Sequence, residues 1–190
     1  HLWWKTKFVK ILSQFDLPKD NLMDSNLRFA AIDIGSNAIR LLFSRIIENE
    51  LKPHFLIKES LIRMPLRLGK DSFNAGEISE ANCKKFLNTM IGFKNLMDAY
   101  NPMNYRACAT AAMRNAKNGK DLARIVELKA GIKIDIINGA EEAAMILTKN
   151  INQHLKKEKS YLHIDVGGGS TELTSIVNGQ TKNSKSFSIG

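Results

Sequence analysis

The pattern of apolar and polar positions divides the chain into short segments. Residues 29–34 are apolar except for Asp33 and read as a buried strand, followed by the turn Gly35-Ser36-Asn37. Residues 39–47 and 55–62 predict two further strands. A loop with Pro65, Gly69 and Gly76 comes next. Ser79 then reads as the N-cap of a long helix. Its apolar positions Cys83, Phe86, Leu87, Met90, Phe93, Met97 and Tyr100 step by three and four, and Asn101-Pro102 ends it. The methionines in that stripe read as core filler. A strand is expected over 105–109, a helical turn over 110–118, a helix over 121–129 up to Gly131, and a strand over 132–137. A helix from Gly139 to about Leu155 leads into the Lys-rich stretch 156–159, read as a solvated connector. Strands over 161–166, 172–177 and 185–189 close the pattern.

This alternation predicts an α/β fold, a mixed sheet covered by helices. The restart at Ser160 has the form of an internal repeat. Ala31-Ile32-Asp33-Ile34-Gly35-Ser36-Asn37 lines up with His163-Ile164-Asp165-Val166-Gly167-Gly168-Gly169. In each, an Asp closes a buried strand and a glycine turn returns the chain antiparallel. Residues 28–158 read as a first lobe and 159–190 as the opening strands of a second, cut short. On that reading the helices that should cover Ile164, Val166, Leu173 and Ile176 follow Gly190, and the chain is a fragment with impaired turnover. Residues 1–27 read as an N-terminal extension. Leu2, Trp3, Trp4, Phe8, Ile11, Leu12 and Phe15 among lysines also allow a basic amphipathic helix there.

The 190 residues carry a formal charge of +9, which favours polyanionic partners. No basic helix with interleaved aromatics supports specific nucleic-acid binding. Two cysteines without metal-type spacing read as small apolar residues of a reducing cytoplasm, and the four histidines are scattered. No apolar run approaches the roughly 20 residues of a membrane span, and the N-terminal region has no signal-peptide pattern.

A tight glycine turn lets backbone N–H groups approach an anion without Cβ interference. Either turn alone reads more readily as a plain Asp-Gly hairpin than as an anion site; their repetition favours two facing phosphate grips. Asp33 and Asp165 would then orient a divalent cation or its waters. Thr110 and Arg114, just after a strand, form either an anion contact or a Thr cap beside an exposed Arg. Glu141-Glu142 at a helix start is either capping electrostatics or a source of a general base. Glu172, just past the second turn, is a further metal or water ligand. No Walker-type lysine loop occurs.

Five stretches carry a resemblance: 31–40, Arg67-Leu68-Gly69, 109–118, Gly139-Ala140-Glu141-Glu142-Ala143 and 164–173. Together they resemble the exopolyphosphatase / guanosine pentaphosphate phosphohydrolase family, of the actin-like and sugar-kinase-like superfamily. The resemblance covers about residues 28–190. It implies a ribonuclease-H-like (actin-like ATPase) first lobe with a mixed sheet, the start of a similar second lobe, and an active site in the cleft. It implies Glu142 as the base that activates water and Arg114 as its catalytic companion. Mg²⁺ would be held by Asp33, Asp165 and Glu172. Phosphates would lie on Gly35, Ser36, Asn37, Thr110, Gly167, Gly168, Gly169 and Ser170. Ala111 stands where many relatives have Ser. The implied activity releases terminal orthophosphate from inorganic polyphosphate or guanosine pentaphosphate, in a cytoplasmic protein that could pair as a homodimer. The rival expectation is a non-catalytic polyphosphate or alarmone sensor.

Overall fold

The computed structural model describes residues 27–49, 52–146, 159–178, 180–187 and 189. The 1–22 segment, the far end of the helix expected to reach Leu155 and residues 156–158 of the Lys-rich link lie outside the described residues.

Strands β1 (Arg28–Ile34), β2 (Ile39–Asn49) and β3 (Lys52–Met64) form an antiparallel meander. Strands β4 (Asn104–Ala109) and β5 (Ile134–Ile136) add to it in parallel, giving the order β3-β2-β1-β4-β5. Parallel neighbours need long crossovers. Helices α1 (Leu68–Ala75) and α2 (Glu80–Tyr100) supply the first, and α3 (Ala111–Asn115) and α4 (Gly119–Ala130) the second.

Period-two burial on the strands meets the helical stripe in one core. Ala30, Ile32 and Ile34 of β1 and Ile39, Leu41 and Phe43 of β2 pack with Phe86, Met90, Phe93 and Met97 of α2. Leu122 and Val126 of α4 join the same core. Tyr100 instead lies at its margin, its ring stacked on Phe43 at 4.3 Å between centroids. Ser79 caps α2 as expected, accepting from the Asn82 N–H, and Asn101 ends it with φ 49°.

Three elements depart from the sequence expectation. The loop expected around Gly69 is the helix α1, entered through Arg67 in the left-handed region (φ 53°) and ended by Gly76 (φ 76°). Strand β5 is three residues long rather than six, because only Ile134–Ile136 meet Ala107, Cys108 and Ala109 of β4. The last strand begins at Gln180 rather than Lys185, because Asn178 takes up φ 53° and Val177 pairs directly with Gln180.

That strand, β8 (Gln180–Phe187), belongs to a second antiparallel sheet with β6 (Ser160–Val166) and β7 (Thr171–Val177), in the order β6-β7-β8. Glu172, Thr174 and Ile176 share the buried face of β7. Ile176 is therefore covered, contrary to expectation, whereas Ile164 and Val166 are exposed, along with Leu162. Helix α5 (Gly139–Ile146) lies against this sheet: a Cβ on Gly139 would stand 3.0 Å from Ser186 Cβ. Among the described residues no helix is long and apolar enough to cross a membrane.

Candidate active site

The two glycine turns are built alike. In the first, the Gly35 N–H donates to the Ala38 carbonyl at 3.1 Å; in the second, the Gly167 N–H donates to the Ser170 carbonyl at 2.8 Å. Antiparallel pairing then fixes which side chains stand opposite each other before each turn. Asp33 faces Arg40 across β1 and β2, and Asp165 faces Glu172 across β6 and β7.

The turns meet across a cleft of about 360 Å³. Gly35, Ser36 and Asn37 line it from one side, and Gly167, Gly168 and Ser170 from the other. A Cβ on Gly168 would collide with the Asn37 carboxamide, so the turns are in direct contact. Asp33, Thr110, Glu142, Asp165 and Glu172 line the same cleft. Two predicted site residues do not. Gly169 faces the ring of Phe73 on α1. Arg114 stands behind Glu142, its Nη1 donating to the Ile137 carbonyl at 2.9 Å and lying 3.4 Å from Glu142 Oε2.

The geometry separates the adjacent glutamates. The Asn138 N–H donates to Glu141 Oε2 at 2.8 Å, and the Glu141 N–H donates to Asn138 Oδ1 at 2.9 Å. This reciprocal capping box uses Glu141 to start the helix. Glu142, one position and about 100° further round, is 7% exposed and points into the cleft. Thr110 does not cap α3 through its side chain. Its N–H donates to the Ile34 carbonyl at 3.1 Å, which seats it beside the first turn.

Arg40 is the cleft residue that pattern reading left without a role. Its Nη1 lies 3.1 Å from Asp33 Oδ2, and Asp33 is 1% exposed. The signal was present: two residues flanking a four-residue turn symmetrically must share a face. Glu172, 2% exposed, accepts from the Ser186 hydroxyl at 2.9 Å.

Asp33, Asp165 and Glu172 share the cleft, but among the described residues no three His, Cys, Asp or Glu groups are arranged to hold a metal ion. They therefore do not form an all-protein cage. The donor chemistry still fits Mg²⁺, which keeps several waters and takes only one or two carboxylates besides phosphate oxygens. Among the described residues, four carboxylates, Glu142 included, line the cleft against one arginine, Arg40. A phosphate chain entering such a cleft meets repulsion that a divalent cation would offset.

Residues 49–190 match the Ppx/GppA phosphatase family. The chain belongs to that family. Exopolyphosphatase 1 of Mycobacterium tuberculosis is 24% identical over 164 residues, covering 86% of this chain and 46% of the relative. The crystal structure of the Aquifex aeolicus member of the Ppx/GppA family superposes with a TM-score of 0.70 at 27% identity, over 86% of this chain and 52% of that one. An exopolyphosphatase from Cytophaga hutchinsonii gives a TM-score of 0.69 at 28% identity, over 86% and 51%. The chain thus spans about half the length of the curated relatives it matches. The pilus-biogenesis complex PilM–PilN, at 10% identity and a TM-score of 0.52, shares the fold alone. The fold is the actin-like α/β fold of this family.

Proposed function

We propose that this cleft hydrolyses the terminal phosphoanhydride bond of inorganic polyphosphate and releases orthophosphate. Family membership and the exopolyphosphatase relatives support the substrate class. The observation that carries the reading is the buried Glu142, held by Arg114 in the wall of a cleft that both glycine turns line. The turns cradle the phosphates through backbone N–H groups. Glu142 takes a proton from a water as its oxygen bonds to the terminal phosphorus. The bond from that phosphorus to the bridging oxygen breaks, and the electron pair leaves with the shortened chain. Arg40, ion-paired with Asp33, is a cationic side chain in the cleft wall. Asp33, Asp165 and Glu172 would hold Mg²⁺ largely through its waters, and the ion would supply neutralisation of phosphate charge. Guanosine pentaphosphate ends in the same kind of anhydride and is the second substrate to assay. A cytoplasmic setting accords with two unbridged cysteines, Cys83 and Cys108.

The test is phosphate release from polyphosphate and from guanosine pentaphosphate by the longest natural form of the protein, with and without Mg²⁺. Release from polyphosphate that depends on Mg²⁺ is expected. Tight polyphosphate binding without release would replace the hydrolase by a sensor. Neither binding nor release would reject the reading.

A further inference from the structure

Arg67-Leu68-Gly69 matches the family pattern, yet none of its residues lines the cleft. Its backbone reaches the first turn: the Arg67 N–H donates to the Asn37 carbonyl at 3.0 Å, and the Gly69 N–H donates to the Ser36 carbonyl at 2.8 Å. These bonds require Arg67 to sit at φ 53°, which non-glycine residues seldom adopt. They also require Gly69 to lack a side chain, since a Cβ there would stand 2.7 Å from Ser36 Cβ and 2.8 Å from Phe73 Cε2. One helical turn later, the Phe73 ring lies where a Cβ on Gly169 would be. The ring thus occupies a slot with Gly69 on one side and Gly169 on the other.

We infer that α1 is a clasp that sets the spacing of the two phosphate-holding turns, with Phe73 as its positioning residue. Its first residues fix turn one by two hydrogen bonds, and its ring seats turn two. Phe73 is 38% exposed and stands outside the buried core, so its packing partners are Gly69 and Gly169 rather than the core cluster. A ring between two glycines also sets a distance more sharply than a flexible side chain, because neither neighbour can adjust a rotamer.

The inference rests on the hydrolase reading for its catalytic consequence, so its test has two arms. In the first, Phe73→Ala and Phe73→Leu are compared with wild type for steady-state polyphosphate hydrolysis by the longest natural form. Phe73→Ala should raise KM about tenfold, with a smaller fall in kcat, because misplaced phosphate grips lose substrate alignment. Phe73→Leu should recover part of the loss. In the second arm, amide hydrogen exchange of residues 167–170 is followed in the same variants without substrate. Phe73→Ala should speed exchange there while leaving α2 and α4 protected. If wild type released no phosphate, the hydrolase reading would fail and the exchange arm alone would judge the clasp. Unchanged exchange at 167–170 in Phe73→Ala, or an unchanged KM in an active enzyme, would overturn it.

Discussion

The hairpin that joins β1 to β2 and the one that joins β6 to β7 share a turn, a register and an aspartate at the same place, but not the residue opposite that aspartate. In the first, Asp33 faces Arg40 and is ion-paired with it. In the second, Asp165 faces Glu172. Directly opposed like charges disfavour a pair of strands, opposed unlike charges favour it. The first hairpin is thus neutralised from within and buried in the main sheet. The second carries net negative charge at its tip, with Gly167 and Gly168 exposed. The difference sets an aspartate–arginine pair in the first wall and two opposed carboxylates in the second.

The largest effect belongs to α5, whose Glu142 lines the cleft. Glu142→Gln should lower turnover by roughly 10²–10⁴-fold, the scale of losing a general base, with little change in polyphosphate affinity. Glu141→Gln is the matched control, because that carboxylate serves the capping box. It should cost helix stability and leave the rate within about twofold. Equal loss in both variants would move the base away from Glu142.

Next come the glycines. A Cβ at Gly35 meets only the Ala38 carbonyl, at 3.2 Å, whereas one at Gly168 runs into the Asn37 carboxamide of the other hairpin. Gly168→Ala should therefore push the turns apart and cut kcat/KM by about 10–100-fold. Gly35→Ala should cost several-fold less. A reversed order in steady-state kinetics would show that the second turn tolerates displacement and the first does not.

The charge difference is tested by stability in denaturant, without divalent cations. Arg40→Met leaves the buried Asp33 carboxylate without its arginine and should destabilise by about 2 kcal/mol, less than a fully buried pair because Arg40 is partly exposed. Glu172→Gln relieves the opposition to Asp165 and keeps an acceptor for Ser186, so it should be neutral or stabilising by up to about 0.5 kcal/mol. Two losses of similar size would mean that the second hairpin is compensated as fully as the first.

Much of this arrangement was legible in the sequence because it rests on short-range rules. Strand alternation, the Ser79 cap and the three-four stripe of α2 each follow from local periodicity, and the repeated Asp-plus-glycine turn was visible as a pattern. What escaped depends on phase or on distant partners. Helix α1 was hidden because it starts from Arg67 in a left-handed conformation instead of a Ser or Asp cap, and because Gly69 is there to clear Ser36 and Phe73. Glu141 and Glu142 look equivalent until the Asn138 cap sets the helix phase. Arg114 looked like a phosphate contact, and only the tertiary packing turns it toward the Ile137 carbonyl and Glu142. The Asp33–Arg40 pair needed the hairpin register as well as the composition.

The smallest effect lies outside the cleft, where α1 meets the start of α2. Asp71 of α1 accepts from the Ser79 hydroxyl and from the Ser79 N–H at the start of α2, and from the Asn82 carboxamide at 2.8 Å. The Ser79 hydroxyl, then its N–H, hold the Asp71 carboxyl below the ordinary aspartate range. A carboxylate whose folded pKa is depressed contributes stability that is fully present above its unfolded pKa and lost as pH falls through the folded value. The group is close to solvent, so screening limits the contribution to roughly 0.5 kcal/mol. Wild type should exceed Asp71→Asn by that amount in denaturant unfolding at pH 7. The gap should close as the pH is lowered past the ordinary aspartate value to the depressed one. A gap that persists below that window would assign the contribution to neutral hydrogen bonding. In that case the junction of α1 with α2, and with it the seating of Phe73, would be insensitive to acid, and both hairpins would keep their spacing at low pH.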